Sequence, residues 1–363
     1  MPHLKKVIIQ DFRNIHLQEL EFCGKINCIH GGNGEGKTNL LDAVWYLSMT
    51  KSVFSVSDKF NFRHGTDTFG ISGSYGLENG LGTRISVQVD RDGSKKLKRD
   101  DRVYGRISDH IGLLPIVMVS PTDSALVTDT GEERRKFVNA VLSQTDPEYL
   151  SSVQNYNTLL AQRNRLLKDS PDENTLLDIL DERLDATARP IFEKRNRFTG
   201  ELVPVVRKYY KMISGASEDV DIEYRSDLHK GDLLQILHDS RQKDRILKFT
   251  SAGVQRDDFI FTMDGFPIRK CGSQGQQKSF LVALKFAQYE IMKDICGASP
   301  ILLLDDLFDK LDSSRVANLL TAVSDEGFGQ IFLSDTNKER IRQAIGAKEC
   351  RYFEAVGGTF RNE

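Results

Sequence analysis

The sequence predicts an α/β fold: a mixed sheet assembled from the two ends of the chain, with a helical lobe inserted between them. Three observations predict it. Near the N-terminus, Gly31-Gly32-Asn33-Gly34-Glu35-Gly36-Lys37-Thr38 fits G-x-x-x-x-G-K-[ST]. Far downstream, Ile301-Leu302-Leu303-Leu304-Asp305-Asp306 reads as an apolar strand ending in two acids. Between them the pattern changes. Residues 1–125 and 220–363 carry strand signals, whereas 126–219 is charged and helix-periodic.

The glycine-rich stretch reads as a phosphate-binding loop, or P-loop. Glycines let the backbone turn tightly and point successive N–H groups at an anion. Lys37 is placed to reach the β and γ phosphates of a nucleotide, and the Thr38 hydroxyl to sit on Mg²⁺. Ile26–Ile29 before the loop reads as a buried strand. Asn39–Leu47 after it reads as a helix with Leu40, Ala43, Val44 and Leu47 on one face. Strand, loop and helix is the context the motif requires, and the helix N-terminus adds its positive end.

Composition sets bounds. The chain of 363 residues has a formal charge of −2 and a hydrophobic fraction of 39%, enough for a sizeable core. Nucleic-acid contact would therefore rest on local patches. Lys95-Lys96-Leu97-Lys98-Arg99, with Arg102 nearby, is the candidate, and a solvated hairpin is its plainer reading. Five scattered cysteines show no metal spacing and suit reduced thiols. The first residues lack a signal-peptide layout, and the apolar run Ile111–Val119 is too short to span a bilayer. A soluble, cytoplasmic protein with no membrane partner is expected.

Along the chain, Leu4–Gln10 is strand-like and Ile85–Val89 alternates with period two. Glu78-Asn79-Gly80 and Asp92-Gly93 are turn signals. Ile116–Val119 is a buried strand. Helices follow over Glu132–Leu142, Pro147–Lys168 and Asn174–Met212, with Pro190 and Pro204 expected as helix starts or kinks. Val220–Tyr224 and Phe259–Met263 alternate again. A helix is expected over Ser279–Met292, then buried strands at Ile301–Leu304 and Gln330–Ser334. These late strands are expected to share one sheet with the P-loop strand.

The Asp-Asp strand completes a site. A carboxylate at the carboxyl end of a strand in an open α/β sheet sits beside the ligand crevice. Asp305 would hold Mg²⁺, and Asp306 would orient or deprotonate an attacking water. Upstream, Ser273-Gln274-Gly275-Gln276 supplies a hydroxyl, a glycine N–H and a helix N-terminus, all suited to phosphate. An ordinary helix N-cap is the alternative for Ser273.

The order of these motifs, ending in Phe308-Asp309-Lys310-Leu311-Asp312, is similar to that of ABC-type ATPases. The chain resembles the RecF family of bacterial DNA replication and repair ATPases, which is related to SMC heads. Five segments carry the resemblance: Asp11-Phe12-Arg13-Asn14; Gly31 to Leu41; Glu133-Arg134-Arg135-Lys136-Phe137; Tyr156-Asn157 with Gln162-Arg163-Asn164-Arg165-Leu166-Leu167; and Gly253 through Asp312. The resemblance implies an ABC-type ATPase head with a mixed sheet around the P-loop. The head comprises 1–125 and 220–363, with 126–219 as the inserted lobe. It also implies ATP contacts from Arg13 and Asn39, a D-loop role for Asp312, and Ser273 to Gln276 acting in trans. Two heads would then sandwich two ATP molecules, with slow hydrolysis as a switch. DNA at duplex–gap junctions, a RecR-like partner and placement of RecA recombinase are further implications.

The chain departs from the family pattern in places. Gln255 stands where RecF proteins usually show histidine, and Cys271-Gly272 precedes Ser273 without the usual apolar residue. Asp306 takes the place of the glutamate common in ABC ATPases. Neither a switch histidine nor a Q-loop glutamine is evident. Rival readings are an ATP-binding clamp with negligible hydrolysis and a transporter ATPase subunit.

Overall fold

The computed structural model describes residues 3–76, 81–215, 218–306, 327–346 and 349–363. The expected turn at Glu78-Asn79-Gly80 and the segment Phe308–Asp312 lie outside them. The chain forms two compact units: residues 1–123, 212–215 and 282–363 make the first, and 124–211 with 216–281 the second.

The first unit holds two six-stranded sheets. One is antiparallel, built from β1 (His3–Phe12), β2 (Ile15–Glu21), β4 (Thr68–Gly76), β5 (Gly82–Asp90), β6 (Lys95–Arg99) and β7 (Arg102–Val103) in the order β2-β1-β4-β5-β6-β7. Its strands bury alternate residues, as in β5, where Ile85, Val87 and Val89 face inward. The basic strand β6 follows the same rule. Leu97 points in, Lys96 is exposed, and Lys95 is tied to the Thr50 carbonyl at 2.8 Å and Asp58 at 2.7 Å.

The other sheet contains β3 (Ile26–His30), β8 (Ile116–Val119), β12 (Ile301–Leu304), β13 (Ile331–Asp335), β14 (Cys350–Val356) and β15 (Thr359–Asn362), in the order β15-β14-β3-β13-β12-β8. All pairings but the edge hairpin β14–β15 are parallel. β3, β8, β12 and β13 are mostly apolar and buried at every position, as parallel strands covered on both faces must be. Helix α1 (Lys37–Met49) shares a core with both sheets through Leu40, Val44 and Leu47.

The second unit holds short α2 (Ala125–Thr128), α3 (Gly131–Thr145), α4 (Pro147–Asp169), α5 (Asn174–Ser214) and α6 (Leu233–Leu247). Asp146 caps α4, accepting from the Tyr149 amide at 3.0 Å, with Pro147 in the first turn. Pro190 and Pro204 do not start helices. Both lie inside the 41-residue α5.

The expectation of a single sheet for all late strands is corrected for two of them. β9 (Val220–Arg225) and β10 (Asp258–Met263) pair antiparallel, Asp258 opposite Arg225 and Met263 opposite Val220. With β11 (Phe266–Pro267) they make a separate three-stranded sheet. Their one-sided alternation suits an antiparallel sheet with a wet face, unlike the fully buried P-loop strands. Residues 220–281 therefore pack in one unit with the helices. The unit also contains α7 (Ile268–Cys271) and the start of α8 (Gln274–Cys296).

The segments of this unit that resemble RecF are largely each other's partners. Arg134 grips Asp258 through two bonds of 2.8 and 3.1 Å, and Arg135 donates to the Asp257 carbonyl at 2.7 Å. Arg195 and Tyr224 each bond the buried Asp257 carboxylate at 2.6 Å. Gln255, in the place of the family histidine, accepts from the Tyr156 hydroxyl. Gly253 is required beside it: its φ is 115°, and a Cβ there would meet the Tyr156 oxygen at 2.6 Å. Arg163 is wholly buried between Asp181 at 2.6 Å and Asp244 at 2.7 Å.

Candidate functional site

β3 delivers the chain to the P-loop at the carboxyl edge of the parallel sheet, and α1 begins at Lys37. Two glycines allow the loop its shape. At Gly36 φ is 104°, and a Cβ would meet the Asn14 amide at 2.8 Å. At Gly31 φ is 153°, and a Cβ would collide with the Ala355 carbonyl on β14. The Gly357-Gly358 turn between β14 and β15 braces the loop. Gly358 N–H donates to the Glu35 carbonyl at 2.9 Å, and Gly357 N–H donates to the Glu35 carboxylate. Gly32, Asn33 and Gly34 remain exposed.

Lys37 is not the surface charge a loop position suggests. It is only 4% exposed, and its ammonium donates to the Gly31 and Gly32 carbonyls, each at 2.9 Å. The cation is thus folded under the loop by the loop's own backbone.

Thr38 is joined to the second motif. Its hydroxyl lies 2.9 and 3.1 Å from the two Asp305 carboxylate oxygens, and Ser334 donates to Asp305 at 2.6 Å. The P-loop strand β3 and the strand β12 that leads into Asp305 are not adjacent: β13 lies between them, and its Ser334 reaches Asp305. Burial pushes the Asp305 carboxyl above its ordinary range, partly offset by the Ser334 and Thr38 hydroxyls. A buried carboxylate, a threonine hydroxyl and a second acid next door are hard oxygen donors that fit Mg²⁺. Asp306 follows with φ 43°, its N–H donating to Ser334 at 3.1 Å, and its side chain is only partly buried. Ser334 is the site residue sequence reasoning missed. Its signal was its position, at the carboxyl end of a fully buried strand just before Asp335.

Arg13, at φ 55°, pairs with buried Asp42 at 2.8 Å and donates to Asn39, Ser52 and Asn61. Asn39 in turn donates to Asn14 at 2.8 Å. The Asp-Phe-Arg-Asn segment thereby fixes the first turn of α1 behind the P-loop.

In the second unit Ser273 forms a capping box with Gln276. The Gln276 N–H donates to the Ser273 hydroxyl at 3.3 Å, and the Ser273 N–H donates to the Gln276 side-chain oxygen at 2.7 Å. This cap explains why α8 starts at Gln274, earlier than the apolar pattern alone suggests. Ser273 and Gln274 are nonetheless exposed.

Residues 3–355 match the family model described as RecF/RecN/SMC N terminal domain. The chain is 44% identical over 348 residues to the DNA replication and repair protein RecF of Bacteroides thetaiotaomicron, covering 95% of this chain and 94% of that protein. This chain belongs to the RecF family. RecF of Flavobacterium johnsoniae is 42% identical over 355 residues, covering 96% of this chain and 98% of the relative. Among solved structures, the recombination mediator protein RecF with ATP, in the RecFOR pathway, matches with a TM-score of 0.90 and 29% identity, covering 100% of this chain and 98% of that one. The Smc head domain from Pyrococcus furiosus matches at a TM-score of 0.58 and 14% identity over 100% of this chain and 96% of that one, a likeness of fold alone. As a RecF-family protein the chain is an ABC-type ATPase with the SMC-like head fold. No helix among the described residues is long and apolar enough to cross a membrane.

Proposed function

We propose that this protein is an ATP switch acting on DNA in replication and recombinational repair, and that its own residues divide the work as follows. The P-loop from Gly31 to Thr38 seats the triphosphate, with Lys37 turning from the Gly31 and Gly32 carbonyls to the phosphates. Thr38 and Asp305 hold Mg²⁺, which supplies charge neutralisation at the β and γ phosphates. Asp306 orients or deprotonates the attacking water. Arg13 and Asn39 act on the nucleotide by fixing the start of α1. Ser273, Gln274, Gly275 and Gln276 meet the nucleotide held by a second copy, so ATP ties two copies together and hydrolysis releases them. Asp312 belongs to the same junction. DNA beside single-stranded gaps, a RecR-like partner, RecA placement, slow DNA-stimulated turnover and a cytoplasmic location complete the reading.

The observation that carries it is the Thr38–Asp305–Ser334 cluster, two hydroxyls on one buried carboxylate beside the P-loop. Asp306→Asn tests it. The exchange keeps shape and removes basicity, so ATP binding should persist while turnover falls about 10²–10⁴-fold. ATP should also hold the dimer longer. Turnover equal to wild type would move the base elsewhere, with Asp335 the alternative, and turnover absent from wild type even with DNA would favour the clamp reading.

Ser273→Asp tests the trans arrangement without losing the helix cap, since aspartate caps as well as serine. Its added charge would oppose a γ phosphate presented by the partner. Sedimentation with ATP should show monomers, while nucleotide titration of the monomer stays at the wild-type affinity. A variant that dimerises with ATP as readily as wild type would remove Ser273 from the junction.

A further inference from the structure

A groove runs along the outside of the α4–α5 pair. One cavity of about 360 Å³ is lined by Asn155, Thr158, Gln162, Arg183 and Thr187 over a floor of Leu159 and Ala186. The open face of α4 beside it shares Thr158 and Gln162 and adds Asn157, Ala161 and Arg165. Asn155, Thr158 and Gln162 are spaced i, i+3 and i+7. Asn157, Ala161 and Arg165 form the neighbouring i, i+4, i+8 row. The two rows make one face of α4, about 15 Å long at the helical rise.

The lining separates into used and unused groups. The Thr158 and Thr187 hydroxyls donate to carbonyls of their own helices. Asn155, Asn157, Gln162 and Arg183 are exposed, and their side chains have no partner among the described residues. Arg165 has one exposed partner, Asp169 at 3.3 Å, in the weak i,i+4 class. No carboxylate lines the cavity or the open face beside it, although the same hairpin carries many. Packing accounts for the buried residues of the segment, Tyr156, Arg163 and Leu167, but not for Asn157, Gln162 and Arg165, which are exposed.

We propose that this groove binds the sugar–phosphate backbone of DNA. Amide and guanidinium donors without local acceptors are the groups that contact phosphate and sugar oxygens and carry no sequence information. Ala161 and Ala186 leave room for a strand to approach, and two guanidiniums, one free and one held only by the exposed Asp169, with no carboxylate in the lining, favour a polyanion over an ordinary protein surface. The inference rests on the DNA-binding reading above and names a surface for it.

The double variant Arg165→Gln/Arg183→Gln tests it by fluorescence anisotropy with a labelled gapped duplex, ATP and Mg²⁺ across a salt series. Each lost phosphate contact should flatten the log–log salt slope by about 0.9, so the pair should flatten it by nearly two and weaken binding at least tenfold at low salt. ATP affinity and thermal midpoint should match wild type. Lys211→Gln/Lys243→Gln makes the same charge change elsewhere in the unit and should leave the slope nearly unchanged. An unchanged slope in the groove variant overturns the proposal and leaves the groove to a protein partner, and so does an equal loss in the control. Wild-type protein that binds no DNA at all would instead overturn the DNA-binding reading itself.

Discussion

Lys37→Ala should lower ATP affinity about a hundredfold or more while leaving the nucleotide-free fold nearly as stable as before. Hydrogen bonds to charged groups contribute about 1.5–3 kcal/mol each, and the ammonium is placed to make at least one to each of two phosphates. Losing about 3 kcal/mol corresponds to roughly two decades in affinity. The stability half of the expectation needs the structure. Lys37 is buried, so its removal takes away both the cost of covering a cation and two bonds to the Gly31 and Gly32 carbonyls. The two effects oppose each other, and exposed Gly32 lets water replace one partner. The net change should stay within about 1 kcal/mol. Titration with a fluorescent ATP analogue, beside thermal denaturation without nucleotide, checks both halves. Wild-type affinity in the variant would refute the loop assignment. A large drop in the nucleotide-free midpoint would mean that the lysine braces the loop.

Much of this site was legible because its chemistry is local in sequence. A glycine-rich loop between an apolar strand and a helix needs few neighbours to be recognised. The Asp-Asp strand ends where parallel sheets place ligands. What the sequence did not reveal depends on contacts far apart in the chain. Ser334 reaches Asp305 across 29 positions, and the Gly357-Gly358 turn reaches Glu35 across more than 300. Neither has a periodic signal. Assigning β9 and β10 to the P-loop sheet failed for a related reason. Alternation reveals that a strand has one wet face, but not which strand it pairs with. The segments resembling RecF were recognisable before their physical role was. Arg134 and Arg135 hold Asp257 and Asp258 within the second unit.

The largest expected loss of stability lies in that second unit, at Arg163. Arg163, Asp181 and Asp244 are all fully buried, and one guanidinium serves both acids and the Thr250 hydroxyl at 3.0 Å. Arg163→Ala would leave buried carboxylates with less compensation, a change that typically costs about 3–5 kcal/mol. The two acids should not suffer equally. Asp181 keeps Arg241 at 2.7 Å, whereas Asp244 keeps only the Ser251 amide at 2.9 Å and the Ser240 hydroxyl at 3.3 Å. Asp244 should therefore account for most of the loss. Urea denaturation of wild type and variant measures the loss. Pairing Arg163→Leu with Asp244→Leu removes the stranded charge and should recover more than half of the loss. A loss that the double variant leaves intact would mean that Arg163 stabilises the unit through packing of its stem and not through the ion pairs.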